Sequence, residues 1–352
     1  MQHIQMKNLS KNNTFEDWEA FKKELMVLKN SVDCRVLLES LGFTIVRETA
    51  KEFRASCHIH GGDNSSAFRF NRESRTWVCF THKCHDILGR DIISLIRVSK
   101  DLDFFGAVNY LKTLVGSVDL NDDVFNKLKI EQEKKAFIRE HCTTHHKPSY
   151  VSEEHLHAHL SFRSNGFLKD GFSPKTLDHF EIGGGYVDGE GNIRDIIPIR
   201  DVDGTLLAYS LRDVRRIKDI DDSEKYIITP GLLKDRVLYN LNNAKDFLTT
   251  QKLIVVEGFK SVWKLYEIGM YNVVAVMGSV ITPGQQSLIY KYANKGIAIL
   301  FDNDVPGIVG ANKAFVEMGK KIKITPLIMY GPEGTDPADL KENELLKILK
   351  NI

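Results

Sequence analysis

The chain has 352 residues, 42% of them hydrophobic and 27% charged, and its 48 basic and 47 acidic side chains leave a net charge of +1. That length suggests about two domains, each able to bury a core, and apolar residues spread along the whole chain exclude disorder as its main state. The even balance gives no support to bulk electrostatic capture of nucleic acid or membrane, and the longest apolar runs, 273–277 and 297–301, are too short to cross a bilayer.

Residues 1–11 are polar and lack the apolar stretch of a signal peptide, so a cytoplasmic protein is expected. Residues 14–30 place Phe15, Trp18, Phe21, Leu25 and Leu28 near helical spacing, with Asn13 or Thr14 as the cap and Glu16 and Asp17 at the favourable dipole end. A second helix, 32–41, stops at Gly42. Residues 51–80 change character: FRASC, SAFRFN and TWVCF are short and alternating, with polar turns between them, which predicts a small antiparallel sheet. Helices return over 89–116, and 117–150 reads as a mixed-charge, partly helical linker in which His145 and His146 sit in a solvated loop. A second domain begins near 151. From 252 onward strands and helices alternate cleanly, and the strands are continuously apolar, which predicts a parallel sheet covered on both faces.

The five cysteines are Cys34, Cys57, Cys79, Cys84 and Cys142. An odd count without an export signal argues against a disulfide framework. Three of them fall in one stretch: Cys57-His58-Ile59-His60, eighteen residues, then Cys79-Phe80-Thr81-His82-Lys83-Cys84-His85. Two ligand pairs on tight turns, held apart by a hairpin, match tetrahedral zinc spacing. The expected ligands are Cys57, His60, Cys79 and Cys84, with His82 as the alternative fourth; Cys84 is favoured because a thiolate binds zinc more strongly than a neutral imidazole. A sheet this small would draw much of its folding energy from the ion. Trp77 is expected to pack in its core, while Phe80 beside it could stack on a base.

A second constellation is acidic. Glu257 follows the strand at 253–256, Asp302 and Asp304 follow the strand at 296–301, and Asp336 and Asp339 follow the strand at 323–330. Carboxyl ends of parallel strands are where open α/β sheets place ligands. Carboxylates gathered there repel one another unless a hard cation compensates, and Mg²⁺ is the natural choice, with Mn²⁺ as the alternative. Taken alone, Asp304 would be an ordinary helix cap before Gly307.

These residues resemble a known family. Glu257-Gly258, Asp302-Asn303-Asp304 with Gly307, and Asp336-Pro337-Ala338-Asp339 look like a Toprim domain. A zinc module ahead of it looks like the DnaG-type primases of bacteria and their phages. The segments 193–214 (IRDIIPIRDVDGTLLAYSLRDV), 225–241 (KYIITPGLLKDRVLYNL) and 162–185 resemble that family's core, so the likeness runs over about 30–340.

The resemblance implies an α+β / α/β multidomain fold: an N-terminal zinc ribbon with helices, then a primase core with a parallel-sheet Toprim subdomain. It implies a zinc-binding module at 1–116, a linker at 117–150, a basic subdomain at 151–245 and a Toprim subdomain at 246–345. It implies a nucleotidyltransferase, a DNA-directed polymerase of short RNA primers. Glu257, Asp302 and Asp304 would hold catalytic Mg²⁺ with Asp336 beside them. Arg194, Arg212, Lys225 and Lys260 would meet template or nucleotide, whereas Arg200, Arg215 and Arg216 are read as ordinary surface pairs. The partners implied are single-stranded DNA, ribonucleoside triphosphates and a replicative helicase supplied in trans, with no membrane. The sequence departs from the family at CFTHKC, at Ser261 where an acid is usual, and at Ala338. It has no Walker A string, and the chain ends soon after the Toprim motifs, with no space expected for a helicase-binding bundle. Compact size leans toward a phage or mobile element. A Toprim nuclease and a non-catalytic DNA-binding protein are the competing readings.

Overall fold

The computed structural model describes residues 14–87, 89–116, 122–142, 151–214, 225–350 and 352. The chain divides into two compact units, Met1–Glu131 and Gln132–Ile352.

The first unit starts with helices α1 (Thr14–Ser31) and α2 (Cys34–Ser40). The strands β1 (Ile45–Glu48), β2 (Glu52–Ala55), β3 (Phe68–Asn71) and β4 (Thr76–Cys79) follow as an antiparallel sheet in chain order. Helices α3 (Ile92–Lys100) and α4 (Phe104–Val115) come next. Register explains the sheet's single core. Phe53 pairs with Phe70, Phe70 with Trp77, and Phe68 with both Ala55 and Cys79. Strand side chains alternate between faces, so all six of these residues point one way and are buried. They pack with Phe21, Leu25 and Leu28 of α1 and with Ile92, Ile93 and Ile96 of α3 in one cluster. Trp77 lies at its centre, fully buried, and its indole N–H donates to Ser94 Oγ at 3.2 Å. Strand β1 lies outside the stretch that alternation marked. It is an edge strand with three of its four residues exposed, Val46 among them, so its apolar residues do not alternate with polar ones.

Helix α5 (Asp122–His141) is 20 residues long. Phe125 and Leu128 are buried in the first unit's core, while Phe137 and Ile138 pack in the second unit. His145, His146, Arg215 and Arg216 lie outside the described residues.

The second unit opens with α6 (Glu153–Leu160), α7 (Asn165–Lys169) and α8 (Pro174–His179). An antiparallel sheet follows in chain order: β5 (Gly183–Val187), β6 (Ile193–Arg200), β7 (Leu206–Asp213) and β8 (Tyr226–Ile228). After the short α9 (Leu241–Ala244), the chain alternates: β9 (Leu253–Val256), α10 (Phe259–Glu267), β10 (Val273–Ala275), α11 (Pro283–Tyr292), β11 (Ile297–Ile299), α12 (Val305–Met318) and β12 (Ile324–Pro326). It closes with α13 (Glu342–Leu349). These four strands are parallel, as expected, in the order β10-β9-β11-β12. Both faces are covered. Ile254 and Val256 pack with Trp263 of α10 and with Ile197 and Ile199 of β6; Leu253 and Val255 pack with Ile289 and Met318. The chain leaves β9 toward β10 on one side, then returns to β11 on the other. The crevice at that reversal, between the carboxyl ends of β9 and β11, is where such sheets bind ligands.

Candidate metal centre and acidic cluster

In the first unit, Cys57 leaves β2 and enters a turn of 3₁₀ helix over His58–His60. Cys79 ends β4, and Cys84 starts a second such turn, Cys84–Asp86, entered through Lys83 in the left-handed region (φ +50). The β2–β3–β4 register holds the two turns side by side. One ligand atom from each of Cys57, His60, Cys79 and Cys84 lies within 4.8 Å of every other. Cys57 Sγ and Cys84 Sγ are 4.0 Å apart, and His60 Nδ1 lies 3.3 Å from Cys84 Sγ and 3.7 Å from Cys79 Sγ. Tetrahedral zinc bonds would place sulfur pairs roughly 3.8 Å apart and sulfur–nitrogen pairs roughly 3.6 Å apart, so the donor set fits that ion in spacing and in softness. Burial, then the neighbouring Cys79 sulfur, pushes the Cys57 thiol up to about 12; thiolates cannot be packed this closely without a cation. His82 does not join the four: its ring lies against His60 at 4.2 Å between centroids, and its backbone N–H points to Cys79 Sγ at 3.5 Å. Two further residues support the set. A Cβ on Gly62 would lie 2.3 Å from His60 Nε2, so the imidazole needs that glycine. His85, buried, accepts the Cys79 backbone N–H on Nδ1 at 3.0 Å. Phe80 is 61% exposed, with the Arg69 guanidinium 4.7 Å over its ring.

The acids of the second unit meet at the reversal point of the parallel sheet. Glu257 leaves β9, and its Oε1 accepts the backbone N–H of Asp302, just beyond β11, at 3.0 Å. Asp304 caps α12, accepting the Gly307 N–H on Oδ1 at 2.8 Å, so it is the helix cap that its spacing also suggested. Asp336 arrives through the bridge Asn303–Thr335, where the Asn303 N–H donates to Thr335 O at 2.9 Å. It accepts from Ser261 Oγ at 2.6 Å and from the Ala338 N–H at 2.7 Å. Asp339 is exposed and accepts the Asp336 N–H at 3.1 Å. Gly307 is the pivot: a Cβ there would lie 2.4 Å from Asp302 O, 2.6 Å from Glu257 Oε1 and 3.1 Å from Asp304 Oδ1.

Charge follows from that crowding. Burial, then the carboxylates of Asp336 and Glu257, pushes Asp302 up to about 8. Burial and the charges of Asp304 and Asp336 push Glu257 up to about 7, against the opposing Asp302 N–H. Asp302 Oδ1 is buried and, among the described residues, has no hydrogen-bond partner. A buried acceptor left unmatched beside three other carboxylates suits a hard cation. The acids do not converge as tightly as the Cys/His set; Mg²⁺ keeps several waters and needs only one or two direct carboxylates.

The basic residues fall around the antiparallel sheet and α10. Arg194 is only 3% exposed, and its Nε donates to Asp188 Oδ2 at 2.5 Å. Arg212, 7% exposed, donates to Tyr226 OH and lies over the rings of Tyr226 (4.8 Å) and Phe167 (5.6 Å). Lys225 is exposed at the start of β8, and Lys260 pairs with Asp170 Oδ2 at 3.3 Å. Arg200 is a paired residue, held by Glu153 and Glu181. Asp170 and Tyr226 carried no sequence signal of their own, because each contributes only by whom it touches, and Ser261, a departure from the family pattern, takes its place through Asp336.

Residues 251–328, which include β9, β11 and three of the acids, match the Toprim domain family. The chain is 24% identical over 330 residues to the DNA primase of Aquifex aeolicus, covering 83% of this chain and 61% of that one. It is 26% identical over 335 residues to the DNA primase of Clostridium acetobutylicum, covering 83% and 52%. The chain is similar in sequence to these DNA primases. To the DNA primase of Listeria monocytogenes it is 33% identical over 150 residues, 42% of this chain and 23% of that one. The chain thus spans less than two thirds of the length of each of these relatives. Among solved structures, the zinc-binding and RNA polymerase domains of the Aquifex aeolicus primase align over 93% of this chain and 85% of that one, at 22% identity and a TM-score of 0.43. Among the described residues, no helix is long and apolar enough to cross a membrane.

Proposed function

We propose that this protein is a DNA primase, a nucleotidyltransferase that copies single-stranded DNA into short RNA primers in the cytoplasm. The observation that carries the reading is the meeting of Glu257, Asp302 and Asp304 at the reversal point of a Toprim sheet, in a chain whose N-terminal unit gathers Cys57, His60, Cys79 and Cys84. The kinship with primases supports it.

On this reading, residues 1–116 are the zinc-binding module, 117–150 the linker, 151–245 the basic subdomain and 246–345 the Toprim subdomain. Cys57, His60, Cys79 and Cys84 hold structural Zn²⁺. Glu257, Asp302 and Asp304 hold Mg²⁺, with Asp336 adjoining. Mg²⁺ bound there would acidify the attacking 3′-hydroxyl and offset charge developing on the α-phosphate. The chain's own residues do the positioning. The Asp302 N–H fixes the Glu257 carboxylate, and Ser261 fixes Asp336, so the acids face the crevice in set places. Arg212, clamped between Tyr226 and Phe167, and exposed Lys225 meet template or triphosphate, as do Lys260 and, through the backbone it braces, Arg194. Arginine's planar fork suits phosphate. A replicative helicase acts in trans.

The test is incubation of the full chain with single-stranded DNA, labelled ribonucleotides and Mg²⁺. Short labelled RNA, lost in Asp302→Ala, is the expected result. Shortened DNA would establish a nuclease instead, and DNA binding with neither product a non-catalytic scaffold.

A further inference from the structure

The second unit also contains a pair of imidazoles that primer synthesis leaves unused. His155 and His159 stand one turn apart on α6, with their Nε2 atoms 3.3 Å from each other. Residues i and i+4 share a helix face, but rings meeting nitrogen to nitrogen need support, and both have it. His159 Nδ1 lies 3.2 Å from the carbonyl oxygen of Gly184. A carbonyl only accepts, so Nδ1 carries the proton, and Nε2 of the neutral ring presents its lone pair. That contact depends on close approach of α6 to β5: a Cβ on Gly183 would lie 2.5 Å from the His159 carbonyl oxygen. His155 is set between the rings of Tyr186 and Tyr209, at 5.7 and 6.0 Å. Tyr209 in turn pins the start of α6, donating to Ser152 O at 2.6 Å and accepting the Ser152 N–H at 3.1 Å.

The spacing selects a kind of ion. Two zinc–nitrogen bonds of about 2.0–2.1 Å meeting at the tetrahedral angle separate the nitrogens by roughly 3.3–3.4 Å, whereas cis positions of an octahedron would bring them to about 2.9 Å. The two rings meet at 3.3 Å, an N–H···N contact in the ion-free chain that a tetrahedral ion could replace with little ring movement. An imidazole whose far N–H is bonded to a backbone carbonyl is also the usual arrangement of a metal-ligating histidine.

We propose that His155 and His159 form a second, exchangeable site for a divalent transition ion of tetrahedral preference, zinc foremost, separate from the Cys/His cluster. The chain supplies two neutral imidazoles, and solvent completes the shell. His155 joins by moving its ring proton from Nε2 to Nδ1, so the neutral pair releases no net proton. Because His159 is already bonded to Gly184, a bound ion stiffens the seat of α6 on β5.

The experiment uses the full chain carrying its tightly held zinc, dialysed free of loose metal, and titrates ZnCl₂ by calorimetry and CoCl₂ by absorbance. One further equivalent is expected, weakened about tenfold or more in His155→Ala and in His159→Gln and unchanged in His157→Ala. Cobalt in this site should lack the thiolate charge-transfer band that the cysteine cluster gives. Unchanged amide exchange in β6, β7 and β9 shows that the second unit of each variant remains folded. No further equivalent in the wild type, or one that survives both histidine substitutions undiminished, overturns the proposal.

Discussion

Asp302 is held where it cannot be comfortable without a counter-charge. Its buried Oδ1 has no partner among the described residues, and burial with its acidic neighbours pushes it up to about 8. Asp302→Asn keeps the shape and removes the repulsion. Thermal melting of the metal-free protein should therefore show no loss of stability, while primer synthesis falls by about two orders of magnitude or more, the scale of losing a group that stabilises developing charge. Retained synthesis would remove Asp302 from the reaction. Gly307 tests the same cluster from its backbone side. A Cβ there would run into Asp302 O and Glu257 Oε1, so Gly307→Ala must displace the Glu257 carboxylate or the first turn of α12. Overpacking of this kind typically destabilises by about 1–3 kcal/mol. Primer synthesis in Gly307→Ala should fall further than the folded fraction does, measured by activity assay beside denaturant melting. A loss that only tracks unfolding would make the glycine a packing residue.

Whole elements were legible where one face is buried. The alternation in 51–80 and the apolar runs from 252 onward marked β2–β4 and β9–β12 because burial on one face, or on two, leaves a periodic record. Strand β1 left none, being an exposed edge. Helix α5 was hard to read for a related reason: it buries Phe125 and Leu128 at one end and uses Phe137 and Ile138 at the other, with charged turns between. The acids and the thiol–imidazole cluster could be read from motif spacing, whereas Asp170, Gly62 and Tyr226 became visible only through their contacts. One element-scale junction predicts a pH response. Asp91 caps α3 through the Ser94 N–H and pairs with Lys29 at the end of α1. Burial raises its pKa, but the Lys29 and Ser94 bonds outweigh that, and the net shift is downward. A depressed carboxyl stabilises the fold above its unfolded value and loses that contribution as pH falls through the folded one. Amide exchange in α3 should therefore accelerate below about pH 4, where an ordinary aspartate takes up its proton. Asp91→Ala should bring that faster exchange to neutral pH, at a cost of about 1 kcal/mol, typical of a lost cap. Exchange in the variant equal to wild type at pH 7 would show that the cap and ion pair contribute nothing.

At the scale of the molecule, the two units stand on different foundations. The Toprim sheet is covered on one face by α10 and β6 and on the other by α11 and α12, and needs no ion to bury its core. The β1–β4 sheet has four-residue strands, and Cys57, His60, Cys79 and Cys84 converge on the turns at one of its ends. Removal of a cation held there would let those thiols reprotonate, free the turns of their common anchor and open the face carrying Phe53, Phe68, Phe70 and Trp77. Elemental analysis should find one tightly bound zinc per chain, and none at that site in Cys57→Ser. A strong chelator at neutral pH should then red-shift the emission of Trp77 and speed amide exchange through β2–β4, while exchange in β9–β12 stays unchanged. Template preference should weaken with it, since Phe80 stands on the rim of the cluster beside Arg69. If zinc is absent from the purified chain, or if β2–β4 stay protected after its removal, the helices α1, α3 and α4 alone hold that sheet closed. The Cys/His cluster would then have to be explained by what it binds and not by what it folds.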